Sequence, residues 1–352
     1  MLNIGVIGFG YWGPNVVRNL TAIRETAVKM ICDSQPVILK EARELYPHIR
    51  VCLDYKEVVT SPDIDAVAIV TPVSTHYQLA KQALENGKHI FVEKPFTRSI
   101  EEAEELIRLA EKNHLKIMVD HTFIFTGAVR KIKEVIDNNT LGDLYYYDST
   151  RVSLGLYQHD VNVIWDLAPH DFSIIDYVIK NKPLALIAQG ADHVGRGQEN
   201  IAYITLYYDK KLIVHINVNW LSPVKVRHTL IGGKKKMLVW DDLEADEKIK
   251  IYDKGFIVEN KEGIHHLRVD YRSGDMWSPR LEHEEALKRE LKYFVHCIEN
   301  DETPVNDGQA GLRVVKMLTL ADLSLKNGGT LIKLQKNVED ELLASGADRN
   351  IP

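Results

Sequence analysis

Leu2-Asn3-Ile4-Gly5-Val6-Ile7, running into Gly8-Phe9-Gly10-Tyr11-Trp12-Gly13-Pro14, decides the fold. A short apolar run that ends on G-x-G-x-x-G reads as a strand, a tight turn and the start of a helix. Gly8 permits the turn, Gly10 lets backbone approach a pyrophosphate, and Gly13 allows close helix–strand packing. Pro14 is tolerated in a first turn, so the free N–H groups of the helix start face the phosphates. Asp33 lies 20 residues beyond Gly13, at the end of the second apolar run. A carboxylate there can hold a ribose 2′-hydroxyl and repels a 2′-phosphate, and Ser34-Gln35 supply no arginine to receive one. NAD is therefore expected in preference to NADP.

Outward from this loop, strands are predicted at 3–7, 27–32, 50–52, 65–70, 89–92 and 116–119. Helices are predicted at 14–23, 36–45, 75–86 and 99–113. In the last of these Ile100, Ala103, Leu106, Ile107 and Ala110 recur at the interval of one helix face. Such alternation predicts a doubly wound parallel sheet, a Rossmann domain over residues 1–122. After residue 123 the texture changes. A basic amphipathic segment, 127–137, precedes strand-like runs at 144–152, 184–194, 201–208, 212–221 and 224–231. Val214, Ile216, Val218 and Trp220 alternate with His215, Asn217 and Asn219, the period of a half-buried strand. Helices follow at 282–299 and 307–325. The expected fold class is α/β: the Rossmann domain, then an α/β domain over 123–335 with a largely antiparallel sheet, then a polar tail over 336–352.

The chain has 352 residues, 45% of them hydrophobic, enough for two cores. Lys plus Arg number 44 against 50 Asp plus Glu, a net charge of −6, which offers nothing to nucleic acid or an anionic membrane. No run is long and apolar enough to span a bilayer, and the start has no basic n-region, so a cytoplasmic protein is expected. Cys32, Cys52 and Cys297 form no close pair in sequence and no metal-type spacing, and no metal is expected.

Two further stretches carry chemistry. Glu93-Lys94-Pro95 follows the apolar run His89-Ile90-Phe91-Val92, at the C-terminal end of a strand in the dinucleotide-binding sheet. An ammonium group there is placed for redox chemistry beside a nicotinamide, although a lysine before a proline also fits a plain turn. Trp165-Asp166-Leu167-Ala168-Pro169-His170 reads as a helix start, with Pro169 in the first turn and Asp166 at or just before the N-cap. Asp166 and His170 are i and i+4, so carboxylate and imidazole share a face, as a base and its orienting partner do. Thr71-Pro72 follows the fourth strand on the ligand edge; Ser74 or Thr75 is expected to cap the next helix, and His76 stands beside them. Expected cofactor contacts comprise Gly8, Phe9, Gly10, Tyr11, Trp12, Gly13, Asp33, Ser34, Thr71, Pro72, His76, Glu93, Lys94, His121 and Trp165. Lys94, Arg151, Asn162 and His170 are the expected substrate contacts. Arg151 and Asn162 equally suit backbone groups at strand ends, and His121 a core. His265-His266 reads as a surface turn, and Glu284-Glu285 with Lys288-Arg289 as a solvated helix face.

Taken together, the glycine loop, Thr71-Pro72 with His76, Glu93-Lys94-Pro95, and Asp166 with His170 resemble one family. It is the glucose–fructose oxidoreductase / inositol dehydrogenase / rhizopine catabolism family of NAD(P)-dependent sugar dehydrogenases, and the likeness runs from Asn3 to about Leu334. The resemblance implies Lys94, Asp166 and His170 as the catalytic set, and an open sheet in the second domain on which such proteins pair as a homodimer or homotetramer. Asp160 to Asp171, Leu281-Glu282-His283 and Asp307 to Val314 resemble the branch acting on nucleotide sugars, which includes 3-dehydrogenases of UDP-linked N-acetyl sugars and their uronic acids. Ala168 stands where a glycine is frequent elsewhere in the family, which points away from a free cyclitol. On this reading hydride passes between a ring carbinol, at C3, and the nicotinamide; His170 or Lys94 serves as base and Asp166 orients. The rival readings are a cyclitol or free-sugar dehydrogenase and, from another class, a non-catalytic NAD-binding sensor.

Overall fold

The structure, a computed structural model, describes residues 1–154, 160–259 and 268–334. The chain divides into two compact units, one of Met1–Thr126 with Glu284–Thr319, the other of Gly127–His283 with the segment from Leu320 onward. The expected tail over 336–352 and His265-His266 lie outside the described residues.

In the first unit the chain alternates as the hydrophobic periodicity predicts. β1 (Leu2–Ile7), α1 (Gly13–Thr21), β2 (Thr26–Cys32), α2 (Pro36–Leu45), β3 (Arg50–Cys52) and α3 (Tyr55–Val59) come first. β4 (Ala66–Ile69), α4 (Val73–Glu85), β5 (His89–Val92), α5 (Ile100–Lys112) and β6 (Ile117–Val119) complete the sheet, and a 3-10 turn follows over Thr122–Phe125. All six strands are parallel in the order β3-β2-β1-β4-β5-β6. The order reverses between β1 and β4, the switch point where the strand ends open a crevice for a ligand. β4 is buried along its whole length, as a strand covered on both faces must be. The short α3, whose N-cap Asp54 accepts from Lys56 N at 2.9 Å, was not predicted.

Helix α8 (Ala286–Glu299) belongs to this unit although it lies far along the chain. The boundary expected at 122/123 therefore separates sequence that packing rejoins. Leu287, Leu291, Phe294 and Val295 bury themselves with Leu20 of α1 and Phe91 of β5, and the Phe91 and Phe294 rings lie 5.9 Å apart. The predicted start at 282 is four residues early: Glu285 is the N-cap and is ion-paired to Arg18 at 2.7 Å. Glu284 reaches Lys292 at 2.6 Å and Arg289 at 3.3 Å. The acidic pair is exposed, as expected, and its ion pairs also tie down the helix entry. Cys32 and Cys52, far apart in sequence, are register partners across β2 and β3; both are buried free thiols.

The second unit contains α6 (Gly127–Asp137), β7 (Leu144–Leu154), α7 (Val163–Val178), β8 (Ala185–Ala191), β9 (Ile201–Tyr207), β10 (Ile213–Asn219) and β11 (Leu221–Gly233). β12 (Met237–Asp241), β13 (Ile249–Glu259) and β14 (Arg268–Trp277) follow, and β15 (Ile332–Lys333) closes the far edge. α9 (Gly308–Lys326) gives residues 308–319 to the first unit and the rest to the second. The nine strands run β14-β13-β12-β11-β7-β10-β9-β8-β15, antiparallel at every junction except β7 with β10. Val214, Ile216 and Val218 are buried on the face that α7 covers, each contributing about 1.5–3 kcal/mol. β12 to β14 were not predicted, yet Leu238, Trp240, Ile249 and Ile251 are buried in alternation.

Candidate active site

The glycine loop carries its chemistry in backbone. Gly8 adopts φ +98°, and a Cβ there would meet Val70 O at 2.1 Å. At Gly13 a Cβ would meet Gly8 O at 2.4 Å, which is the helix–strand packing the motif implies. A Cβ on Gly10 would meet nothing within 4 Å, so space stands open beside that backbone. Trp12 is the N-cap of α1, with no side-chain cap and Pro14 in the first turn. The helix start has no side-chain cap and presents a positive dipole end, which suits a pyrophosphate. Asp33 closes the loop from β2: its Oδ2 accepts from Phe9 N at 2.9 Å and its Oδ1 from Gln35 N at 2.9 Å. Of the loop side chains, Phe9 is buried edge-on against Tyr46 and Tyr11 is exposed.

Further along the same sheet edge, the turns after β4 and β5 are joined through His76. Its Nδ1 lies 2.9 Å from Pro95 O and its Nε2 2.8 Å from Thr71 O, on a fully buried side chain. Burial lowers its pKa, and the carbonyls pull the other way. α4 does not start as expected. Its N-cap is Pro72, Ser74 lies inside the helix, and Thr75 Oγ1 turns back to Thr71 Oγ1 at 2.7 Å and Pro72 O at 2.8 Å. Lys94 follows β5 in this turn, half-buried, and the Lys94–Pro95 peptide is cis. Glu93 beside it has its pKa raised by burial and then by Asp120, with Lys94 opposing. Asp120 itself accepts from Trp12 Nε1 at 3.1 Å and from Thr122 Oγ1. His121 is buried, and its N–H donates to Val119 O at 2.6 Å.

In the second unit α7 holds the other candidates. Its N-cap is Asn162, whose Oδ1 accepts from Trp165 N at 3.2 Å. This corrects the expected helix start: Asp166 is inside the first turn, and Pro169 and His170 lie in the helix interior. The reason is that a side-chain cap and buried Val163, Ile164, Ala168 and Phe172 outweigh one backbone bond lost at proline. Asp166 and His170 remain one turn apart on this helix, both half-buried, and Asp166 Oδ2 accepts from Trp220 Nε1 at 3.0 Å. Asn162 Nδ2 also donates to Glu199 Oε2 and Asp322 Oδ1, each at 3.0 Å. Trp165 Nε1 donates to Asp322 Oδ2 at 2.6 Å, and burial raises the Asp322 pKa. Arg151 forms a buried pair with Asp171, Nε to Oδ2 at 2.8 Å, while Ser149 donates to Asp171 Oδ1 at 2.6 Å. Lys94 thus belongs to the first unit, and Asp166, His170, Asn162, Trp165 and Arg151 to the second. Among the described residues no group of three or more His, Cys, Asp or Glu could hold a metal ion, and no helix is long and apolar enough to cross a membrane.

Residues 2–121 match the oxidoreductase family with an NAD-binding Rossmann fold, and residues 129–239 match the GFO/IDH/MocA C-terminal domain. The chain belongs to this family of NAD-binding oxidoreductases. It is 26% identical over 324 residues to UDP-N-acetylglucosamine 3-dehydrogenase of Acidithiobacillus ferrooxidans, covering 89% of this chain and 94% of that one. It is also 26% identical over 317 residues to the NAD(+)-dependent scyllo-inositol 2-dehydrogenase of Bacillus subtilis, covering 85% and 87%. The solved structure of the Acidithiobacillus enzyme superposes with a TM-score of 0.78 over 93% of this chain and 98% of that one, at 23% identity.

Proposed function

We propose that this protein transfers a hydride between a ring carbinol of a nucleotide-linked N-acetyl sugar, or its uronic acid, and NAD, at C3 of the hexose. The observation that carries the redox half is the sheet edge of the first unit: a glycine cradle, a helix start without a side-chain cap and Lys94 all follow strands of one parallel sheet. The nucleotide-sugar half rests on the likeness to the UDP-N-acetylglucosamine enzyme and on the stretch Asp160 to Asp171.

The residues present fit NAD. The α1 start and the Gly10 backbone would receive the pyrophosphate, and Asp33 would accept from a ribose hydroxyl while its charge disfavours a 2′-phosphate. Bound NAD supplies the hydride acceptor. Lys94 hydrogen-bonds the reacting oxygen and stabilises alkoxide charge as it develops. His170 takes the hydroxyl proton, and Asp166, held by Trp220, orients the imidazole. Arg151 and Asn162 support this machinery through Asp171 and Asp322. Partners are small-molecule sugars, and the location proposed is cytoplasmic.

NADH formation, followed by absorbance with UDP-N-acetylglucosamine, its uronic acid, myo-inositol and scyllo-inositol as alternative substrates, tests the reading. Turnover on a UDP-linked sugar with little on either cyclitol is expected. Preference for a cyclitol would move the assignment to the second reading, which the scyllo-inositol dehydrogenase likeness favours.

A further inference from the structure

Glu290, on α8, has no part in the machinery above, yet it is fully buried, as is Asp120, at 0% and 2% exposure. Glu290 Oε1 accepts from Asn306 Nδ2 at 2.8 Å. Asn306 is itself fixed: its Nδ2 donates to Val119 O at 2.7 Å, and its backbone O accepts from Val119 N at 2.9 Å. Glu290 Oε2 meets no donor among the described residues. The hydroxyl on that side, Thr122, is turned to Asp120 Oδ1, while Asp120 Oδ2 takes the Trp12 indole. Both Asp120 oxygens therefore act as acceptors. Two ionised carboxylates in so dry a place would repel and leave Oε2 unsatisfied. A proton on Glu290 removes both penalties, since Oε2 then becomes a donor.

We propose that Glu290 is a positioning residue for cofactor binding: its protonated carboxyl donates to Asp120, which in turn holds the Trp12 indole at the N-cap of α1. The same contact steadies Glu93, the other carboxyl facing Asp120, and with it the Lys94 turn. Three elements distant in sequence, the glycine loop, the strand ends at 93 and 120, and α8, are thereby locked through one proton. The direction of titration agrees. Burial first, and then Asp120, raise the Glu290 pKa well above the ordinary glutamate range, with Thr122 opposing and Glu93 reinforcing. Asp120, Glu93 and, beyond Glu93, the Lys94 ammonium are the charged groups concerned.

A carboxyl kept neutral by the fold costs stability once the unfolded chain can ionise it. That cost is absent below the unfolded pKa and grows as pH rises toward the folded value. Glu290→Gln keeps a donor toward Asp120 and cannot ionise. It should bind NAD within about twofold of wild type, whereas Glu290→Ala, folded but lacking the donor, should bind about tenfold more weakly, a ratio worth measuring by calorimetry. Thermal midpoints between pH 5 and pH 9 should show the Gln variant gaining on wild type as pH rises. A purely structural Glu290 would lower the Ala variant's midpoint and leave its NAD affinity alone, and that result overturns the proposal. So does a Gln-to-wild-type gap that stays flat with pH, which decides the matter even if the Ala variant does not fold. The inference rests on the NAD reading, but the two fail separately: wild type that binds no NAD defeats that reading, while unchanged affinity in the Ala variant defeats only this one.

Discussion

Lys94 is assigned to the reacting oxygen and His170 to its proton, and their removal should look alike in kinetics. Lys94→Met and His170→Ala are each expected to lower kcat by about 10²–10⁴-fold, the usual worth of general acid–base help, with NAD affinity nearly unchanged. Either variant turning over at a rate close to wild type would remove that residue from the mechanism. Asp33→Ala probes a different property. It takes an acceptor from Phe9 N, so both cofactors should bind less well, but NAD should suffer far more than NADP. Equal losses by fluorescence quenching would strike out the ribose contact. Gly8, Gly13, Asp33 and Lys94 are legible in the sequence because local geometry dictates them: a left-handed turn, a close backbone approach, and the ends of two strands. Glu290 is not legible. It sits among charged neighbours on an amphipathic helix, where a glutamate reads as a solvent-facing residue.

Whole elements followed the hydrophobic period where one face packed consistently, as in β1, β2, α5 and β10. The misplaced start of α7 shows what overrides it. Proline in a helix interior costs about 3 kcal/mol and so reads as a first-turn residue. Here the burial of Val163, Ile164, Phe172 and Ile175, with the Asn162 cap, absorbs that cost. Asn162→Ala should accordingly lower stability by about 1 kcal/mol through the cap alone. The loss of its bonds to Glu199 and Asp322 should add to this. Urea unfolding should give a lower midpoint with an unchanged slope; no shift would mean that the helix start is held by packing instead. α4 makes the same point on a smaller scale, since Thr75 finds Thr71 and Pro72 in preference to a capping role.

At the scale of the whole molecule, the uncovered face of the second sheet bears on assembly. Tyr146, Tyr203 and Ile213 share the face opposite Val214, Ile216 and Val218, with exposures of 36%, 45% and 44%. The homodimer or homotetramer expected from the family resemblance would bury such a face. Sedimentation equilibrium should then return two or four times the 40.1 kDa chain mass, and a monomer at micromolar concentration would end that expectation.

By itself the sequence determined what depends on neighbours a few residues apart: the alternation that builds the parallel sheet, the glycine cradle after β1, the carboxylate after β2 and the lysine after β5. Only the tertiary structure decided which distant segments complete that unit. The return of α8 onto α1 and β5, the meeting of Cys32 with Cys52, and the enclosure of Glu290 with Asp120 are contacts between residues far apart along the chain. The reason is physical. Periodicity records which face of an element is apolar, but the partner it buries against, and the charge state a buried carboxyl must then adopt, are set only once the chain has closed around it.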